Sequence, residues 1–292
     1  MKQCIFRIKY AAAFLTVIFM IICVSVNIFA YDGNTGGQII GKYDLEGVVF
    51  SLYRIGNMNE LNEIVPLAEY ADYQIDYSDK YAPQTLEAYI QRDQLNSAMQ
   101  TKTNQNGVFQ FYDITEGIYL ITGDSTQNND NIYFPSPVIV AVSDDSPITE
   151  MIIKSTIEPV KSQKNISVLK VWDGNHSEKR PFQISVDLLR DGKIYDTVQL
   201  SQNNNWQYQW KELDGSCKWY VAEKNVPQDY TVNISANDSG FVITNTVSET
   251  ITPPSTPEKL PQTGQINLPV IILLPIGLVL VIIGIVRRKH SV

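Results

Sequence analysis

Residues 184–193 read Ile-Ser-Val-Asp-Leu-Leu-Arg-Asp-Gly-Lys, and their reading decides the fold. A short apolar run closes on Asp191-Gly192, a dipeptide that tolerates positive φ and so makes the tight turn of a hairpin. Short apolar runs separated by turn residues recur on both sides, with abundant Tyr, Val, Ile and Thr. That is the pattern of an all-β sandwich. In the first half the predicted strands are 47–55, 108–113, 118–122, 138–142 and 148–154. One segment between the first two differs. Gln84 to Met99 carries Leu86, Tyr89, Ile90 and Ala98 among polar residues just after Pro83, which predicts a short helical insertion.

The two ends of the 292-residue chain stand outside this pattern. Lys2, Arg7 and Lys9 precede an apolar stretch from Ala11 to about Val26, and Ile28-Phe29-Ala30 offers a cleavage site, so 1–30 reads as a signal peptide, with a retained anchor as the alternative. At the other end Leu260-Pro261-Gln262-Thr263-Gly264 is followed by an apolar run over 268–286, then by Arg287-Arg288-Lys289 and three more residues. That run has about the length needed to cross a bilayer as a helix, and the basic cluster holds its end in the cytoplasm. From 249 to 259 the chain turns to Thr, Ser and Pro, including Pro253-Pro254 and Pro257, an extended stalk with no core of its own.

Residues 31–263 hold all 31 acidic residues and 17 basic ones, a net charge of −14. So acidic a surface is repelled by phosphates, which excludes nucleic acid as a partner. Length favours two modest domains, 31–157 and 165–248, joined by a linker at about 157–164. Cys217 is the one cysteine between the processed ends, so no intramolecular disulfide is expected there. With His176 the only histidine in that stretch, no zinc site, histidine triad or cofactor is expected, and the chain is not read as an enzyme.

Three resemblances sharpen the picture. The order of Leu260–Gly264, apolar run and basic tail resembles the sortase sorting signal of Gram-positive surface proteins. It implies cleavage between Thr263 and Gly264 and transfer of the Thr263 carboxyl to a peptidoglycan precursor or a pilin lysine. The bland alternative is a single-pass tail anchor. Gly47-Val-Val-Phe-Ser-Leu-Tyr-Arg, the turn Thr103-Asn-Gln-Asn-Gly107 and Glu116-Gly-Ile-Tyr-Leu-Ile resemble the N-terminal domains of Gram-positive pilins, which are immunoglobulin-like or transthyretin-like sandwiches. Val168-Leu-Lys-Val-Trp172-Asp, Lys179-Arg-Pro, residues 184–193, Asn205-Trp206, Tyr208-Gln-Trp210-Lys, Tyr220-Val-Ala-Glu223 and Ile243-Thr-Asn-Thr246 resemble, in order, the Cna B-type repeat.

The last resemblance implies a spontaneous amide between Lys170 and Asn245, assisted by Glu223. Residue parity is consistent with this. Phe241, Ile243 and Asn245 share one strand face, as do Trp219, Val221 and Glu223, so each polar group points where apolar ones do. For Lys170 parity is indecisive, because both faces of 166–172 carry apolar residues. The alternative is a buried Lys–Glu pair with Asn245 capping a strand. In the first domain Lys42 is a possible donor without a partner, Gly123 stands where related domains place the acid, and no bond is expected.

Lys154, in Met151-Ile-Ile-Lys-Ser, stands at about the place of a polymerising pilin's acceptor lysine, although the usual Tyr-Pro-Lys wording is missing; a solvated strand-end lysine is the plainer reading. The Asp- and Asn-rich run 124–131 lacks the spacing of a calcium loop. Trp206, Trp210 and Trp219 are expected in the core. The expected whole is a structural, extracellular, wall-anchored protein, an accessory or basal pilin subunit with sortase and other pilin subunits as partners. A host-binding adhesin and a polymerising backbone pilin are the alternatives.

Overall fold

A computed structural model describes residues 36–174, 180–237 and 240–248. The signal peptide, the stalk at 249–259, Leu260–Gly264, the apolar run, the basic tail and His176 lie outside the described residues. What is described is β-rich, with two pairs of facing sheets and a helix between them.

In the first pair, β1 (Gly37–Lys42) runs between β5 (Val108–Ile114) and β10 (Ile148–Ile152), antiparallel to the former and parallel to the latter. The facing sheet orders β3 (Ile64–Pro66), β2 (Val49–Met58), β6 (Gly117–Gly123) and β9 (Val138–Val142), with β4 (Met99–Lys102) also on β2. Alternate residues meet between the sheets, among them Ile39, Phe50, Leu52, Phe109, Phe111 and Ile121. The rings of Phe50 and Phe109 stack at 4.0 Å. Every residue of β6 is buried. Tyr119 and Ile121 face this core, while Ile118 and Leu120 join a second one on the outer side.

That second core is built around the helix. After a short helix α1 (Ala68–Ala71), helix α2 spans Ala82–Asp93, with a proline in its first turn. It ends earlier than the expected 84–99, because Gln94 takes the left-handed conformation and returns its N–H to the Ile90 carbonyl. Met99, expected at the helix end, opens β4 opposite Leu52. Leu86, Tyr89 and Ile90 pack into one continuous apolar cluster with Ile118 and Leu120 on one side and Val186, Val221 and Val232 of the second half on the other. An insertion in the first half thus supplies core to the second.

The expected linker at 157–164 is mostly strand. β11 (Ser155–Pro159) pairs with β8 (Asn131–Pro135), which also pairs with β7 (Thr126–Asn128) to make a small sheet. β12 (Gln163–Asp173) follows almost at once. The backbone groups that a free linker would leave to water are paired instead.

In the second pair of sheets the four-stranded order is β15 (Gln207–Asp214), β12, β18 (Gly240–Val247) and β17 (Tyr230–Asn237). The facing order is β14 (Lys193–Ser201), β13 (Gln183–Arg190) and β16 (Trp219–Glu223). The β13–β14 turn has φ of 47° at Asp191 and 78° at Gly192, as its sequence requires. Strands β12 and β18 are parallel neighbours.

Candidate functional site

Three polar side chains meet between the second pair of sheets. Along β12 the buried positions are Ile166, Val168 and Lys170, while Leu169 and Val171 are exposed. The geometry therefore places Lys170 on the inner face, which parity left open. On β18, Ile243 and Asn245 are buried on that same face. Glu223 ends β16 on the opposite sheet and points back at both. Relative exposure is 3% for Lys170 and 0% for Glu223 and Asn245.

Lys170 Nζ lies 3.8 Å from Glu223 Oε2, and Asn245 Nδ2 donates to Glu223 Oε1 at 3.2 Å. Nζ also donates to the Val171 carbonyl at 3.0 Å and sits 4.1 Å from the centre of the Trp172 ring. Trp172 makes edge contacts with Trp206 and Tyr230, so an aromatic cluster covers the amine. Glu223 Oε2 and Asn245 Oδ1 are buried without a hydrogen-bond partner. Unsatisfied buried acceptors are costly, and two of them beside an amine are a concentrated expense.

Electrostatics follow from burial. Desolvation pushes the Lys170 amine down to about 7, with the Glu223 charge opposing and Arg180 reinforcing. Desolvation pushes the Glu223 carboxyl up to about 7, against Lys170 and the Asn245 hydrogen bond. Near neutral pH the pair can hold a single proton, with an uncharged amine beside an uncharged acid. Such an amine is a nucleophile, and such an acid polarises a neighbouring carbonyl.

Sequence reasoning missed the support around Glu223. Its main-chain carbonyl accepts from Tyr89 Oη at 3.1 Å and from Arg92 Nη1 at 3.0 Å, both on α2. Nothing local signals contacts made across 134 and 131 positions. A second buried acid, Glu87 of α2, meets Lys218 at 2.7 Å and the Tyr220 hydroxyl at 3.3 Å.

The other sequence candidates fall apart from this cluster. Lys154 is exposed between β10 and β11, and Lys42 is exposed on β1. Cys217 is buried, with Arg190 donating to its sulfur at 3.1 Å. Trp210 and Trp219 are core, and Trp206 is half-buried. Residues 124–131 cover β7 and the turn that leads into β8.

The chain is 31% identical over 97 residues to the collagen adhesin of Staphylococcus aureus, covering 32% of this chain but only 8% of that protein's length. Among solved structures, a single B repeat unit of the S. aureus collagen-binding surface protein is 21% identical, with 72% of this chain and 98% of that one covered at a TM-score of 0.28. The shaft pilin SpaA from Lactobacillus rhamnosus GG is 11% identical, with 73% and 98% covered at 0.26. Residues 166–246 match the Cna protein B-type domain, and this stretch contains Lys170, Glu223 and Asn245.

Proposed function

We propose that this chain is a structural surface protein, a pilin-like subunit whose second sandwich is closed by an amide between Lys170 and Asn245. The observation that carries the reading is the buried cluster itself, in which an amine and a carboxamide share one desolvated carboxyl. A half-turn of the Asn245 amide presents Oδ1 to protonated Glu223, which hydrogen-bonds it and polarises the side-chain carbonyl. Neutral Lys170 Nζ attacks Cγ, and the amine proton passes through the Glu223 carboxyl to Nδ2. The Cγ–Nδ2 bond breaks, ammonia leaves, and Glu223 ends as it began, holding one proton. The product stays in the fold, so the event occurs once per molecule.

The bond closes a loop of about 75 residues, worth roughly 4–5 kcal/mol on the loop-entropy relation used for disulfides. A covalent tie of this kind suits an extracellular domain whose only described cysteine is unpaired. Intact-mass measurement of the folded ectodomain tests the reading: a deficit of about 17 Da, one ammonia, is expected, and an unshifted mass overturns it.

Anchoring belongs to the same proposal. Sortase joins the Thr263 carboxyl to a wall precursor or to a neighbouring pilin's lysine, after the signal peptide has been removed and while the apolar run over 268–286 holds the precursor in the membrane. Mass spectrometry of wall digests from the native cell would show what is attached to Thr263. The exposure of Lys154 keeps a polymerising role in view; high-molecular-weight ladders that vanish in Lys154→Ala would establish it.

A further inference from the structure

The strand that carries Glu223 lies at the edge of its sheet, and a helix from the first half of the chain covers that edge. Among the described residues, strand β16 pairs only with β13. Val186 stands opposite Glu223, and the Lys224 N–H bonds the Ser185 carbonyl at 2.9 Å. In an antiparallel ladder this register turns the N–H and C=O of Glu223 away from β13, toward the open edge. An uncovered edge leaves such groups to water and its last residue free to fray.

Helix α2 supplies what the edge lacks. Tyr89 and Arg92 both donate to the Glu223 carbonyl, and both donors are themselves held. Tyr89 is buried and stacks on Tyr73 at 4.8 Å, and the Arg92 guanidinium lies 4.6 Å from the Tyr89 ring centre. Asp93 binds Arg92 through two hydrogen bonds of 2.8 Å and accepts one from the Tyr73 hydroxyl at 2.7 Å. The same segment closes the opposite sheet's edge at β17: the Ile234 N–H bonds Thr85 Oγ1 at 2.7 Å, and the Val232 N–H bonds the Gln74 carbonyl at 2.9 Å.

We propose that Tyr89 and Arg92 are positioning residues for the Lys170–Asn245 cross-link, so that docking of α2 governs covalent closure of the second sandwich. The proposal rests on the cross-link reading above. Neither residue touches the reacting atoms. They fix the Glu223 main chain, and thereby the point from which its carboxyl reaches across to Asn245 and Lys170. Closure needs the carboxyl in register with both partners, and a displacement of about 1 Å can cost on the order of a hundredfold in rate. The first half of the chain thus licenses a bond made wholly within the second.

The test uses residues 31–263, which contain every described residue. Chain taken into urea straight from cell-free synthesis is diluted into native buffer, and loss of about 17 Da is timed by mass spectrometry. Tyr89→Phe and Arg92→Gln are compared with Thr85→Val, which removes an α2 bond at the far edge. Thermal unfolding of the same variants in an Asn245→Ala background, where no bond forms, gives their stability costs. At matched stability cost, Tyr89→Phe and Arg92→Gln should close at least about tenfold more slowly than Thr85→Val, and Arg92→Lys should recover most of the rate. Closure rates that follow thermal stability across all variants, or that match wild type, overturn the proposal. Wild type that never loses ammonia removes the parent reading and this one with it; wild type that closes beside unaffected variants removes this one alone.

Discussion

Lys170 and Asn245 sit two rungs apart on adjacent parallel strands, Lys170 opposite Ile243 and Asn245 opposite Trp172. On one face of a sheet such diagonal neighbours are about 7–8 Å apart at the backbone. A long unbranched side chain is needed to span that gap. Lys170→Arg keeps length and charge, but a guanidinium does not deprotonate in proteins. That variant should show no mass deficit and should be markedly less stable, as intact mass and urea unfolding would report.

Asn245→Ala removes the acceptor and leaves the Lys170–Glu223 pair in place. It should restore the full mass and lower unfolding free energy by roughly 4–5 kcal/mol. Urea titration of the variant beside wild type gives the difference directly. A loss below about 1 kcal/mol would show that the loop is not covalently closed.

The same variant has a predictable pH dependence. Glu223 is raised to about 7 by burial, so between the ordinary glutamate range and pH 7 the folded state binds more protons than the unfolded, and stability falls as pH rises. Lys170 is lowered to about 7, so between pH 7 and the ordinary lysine range the unfolded state binds more, and stability rises with pH. The pair therefore contributes a stability minimum near pH 7, with limbs of up to about 1.4 kcal/mol per pH unit. Denaturation midpoints of Asn245→Ala at pH 5, 7 and 9 check this, since a curve that rises or falls throughout contradicts it. In wild-type chain the rate of ammonia loss should peak near pH 7, because both limbs remove the single-proton state.

Thr85→Val leaves the buried Ile234 N–H without an acceptor. The expected cost is about 1–3 kcal/mol. Amide hydrogen exchange should locate the loss at β17 rather than in the first pair of sheets.

Gly240 opens β18 at a φ of 146°, where a Cβ would collide with the Ser167 carbonyl. Gly240→Ala should therefore disturb the first rung of the β12–β18 ladder, destabilising by at least about 1 kcal/mol and slowing ammonia loss. Unfolding midpoints and timed mass spectra measure the two effects.

The all-β character and the hairpin at Asp191-Gly192 were legible because they rest on local alternation and turn chemistry. The inward faces of Asn245 and Glu223 were legible for the same reason. Lys170 was ambiguous because Leu169 and Val171 are apolar yet exposed, so hydrophobicity alone did not mark the inner face. The helix was found, but its end was overrun, since Ala98 and Met99 extend an apolar pattern after the left-handed Gln94 has already turned the chain. The segment at 157–164 looked like a linker because its pairing partner, β8, lies more than twenty residues back. Docking of α2 on Glu223 was out of reach, because contacts across more than a hundred positions leave no periodic trace.

The parallel pairing of β12 and β18 has one further consequence. The second sandwich is entered at the start of β12 and left at the end of β18, which are opposite ends of one ladder. A pull along the chain would try to slide the two strands past each other, loading all their rungs together instead of peeling them one by one. Even before any covalent tie, this arrangement resists stretching in its strongest direction.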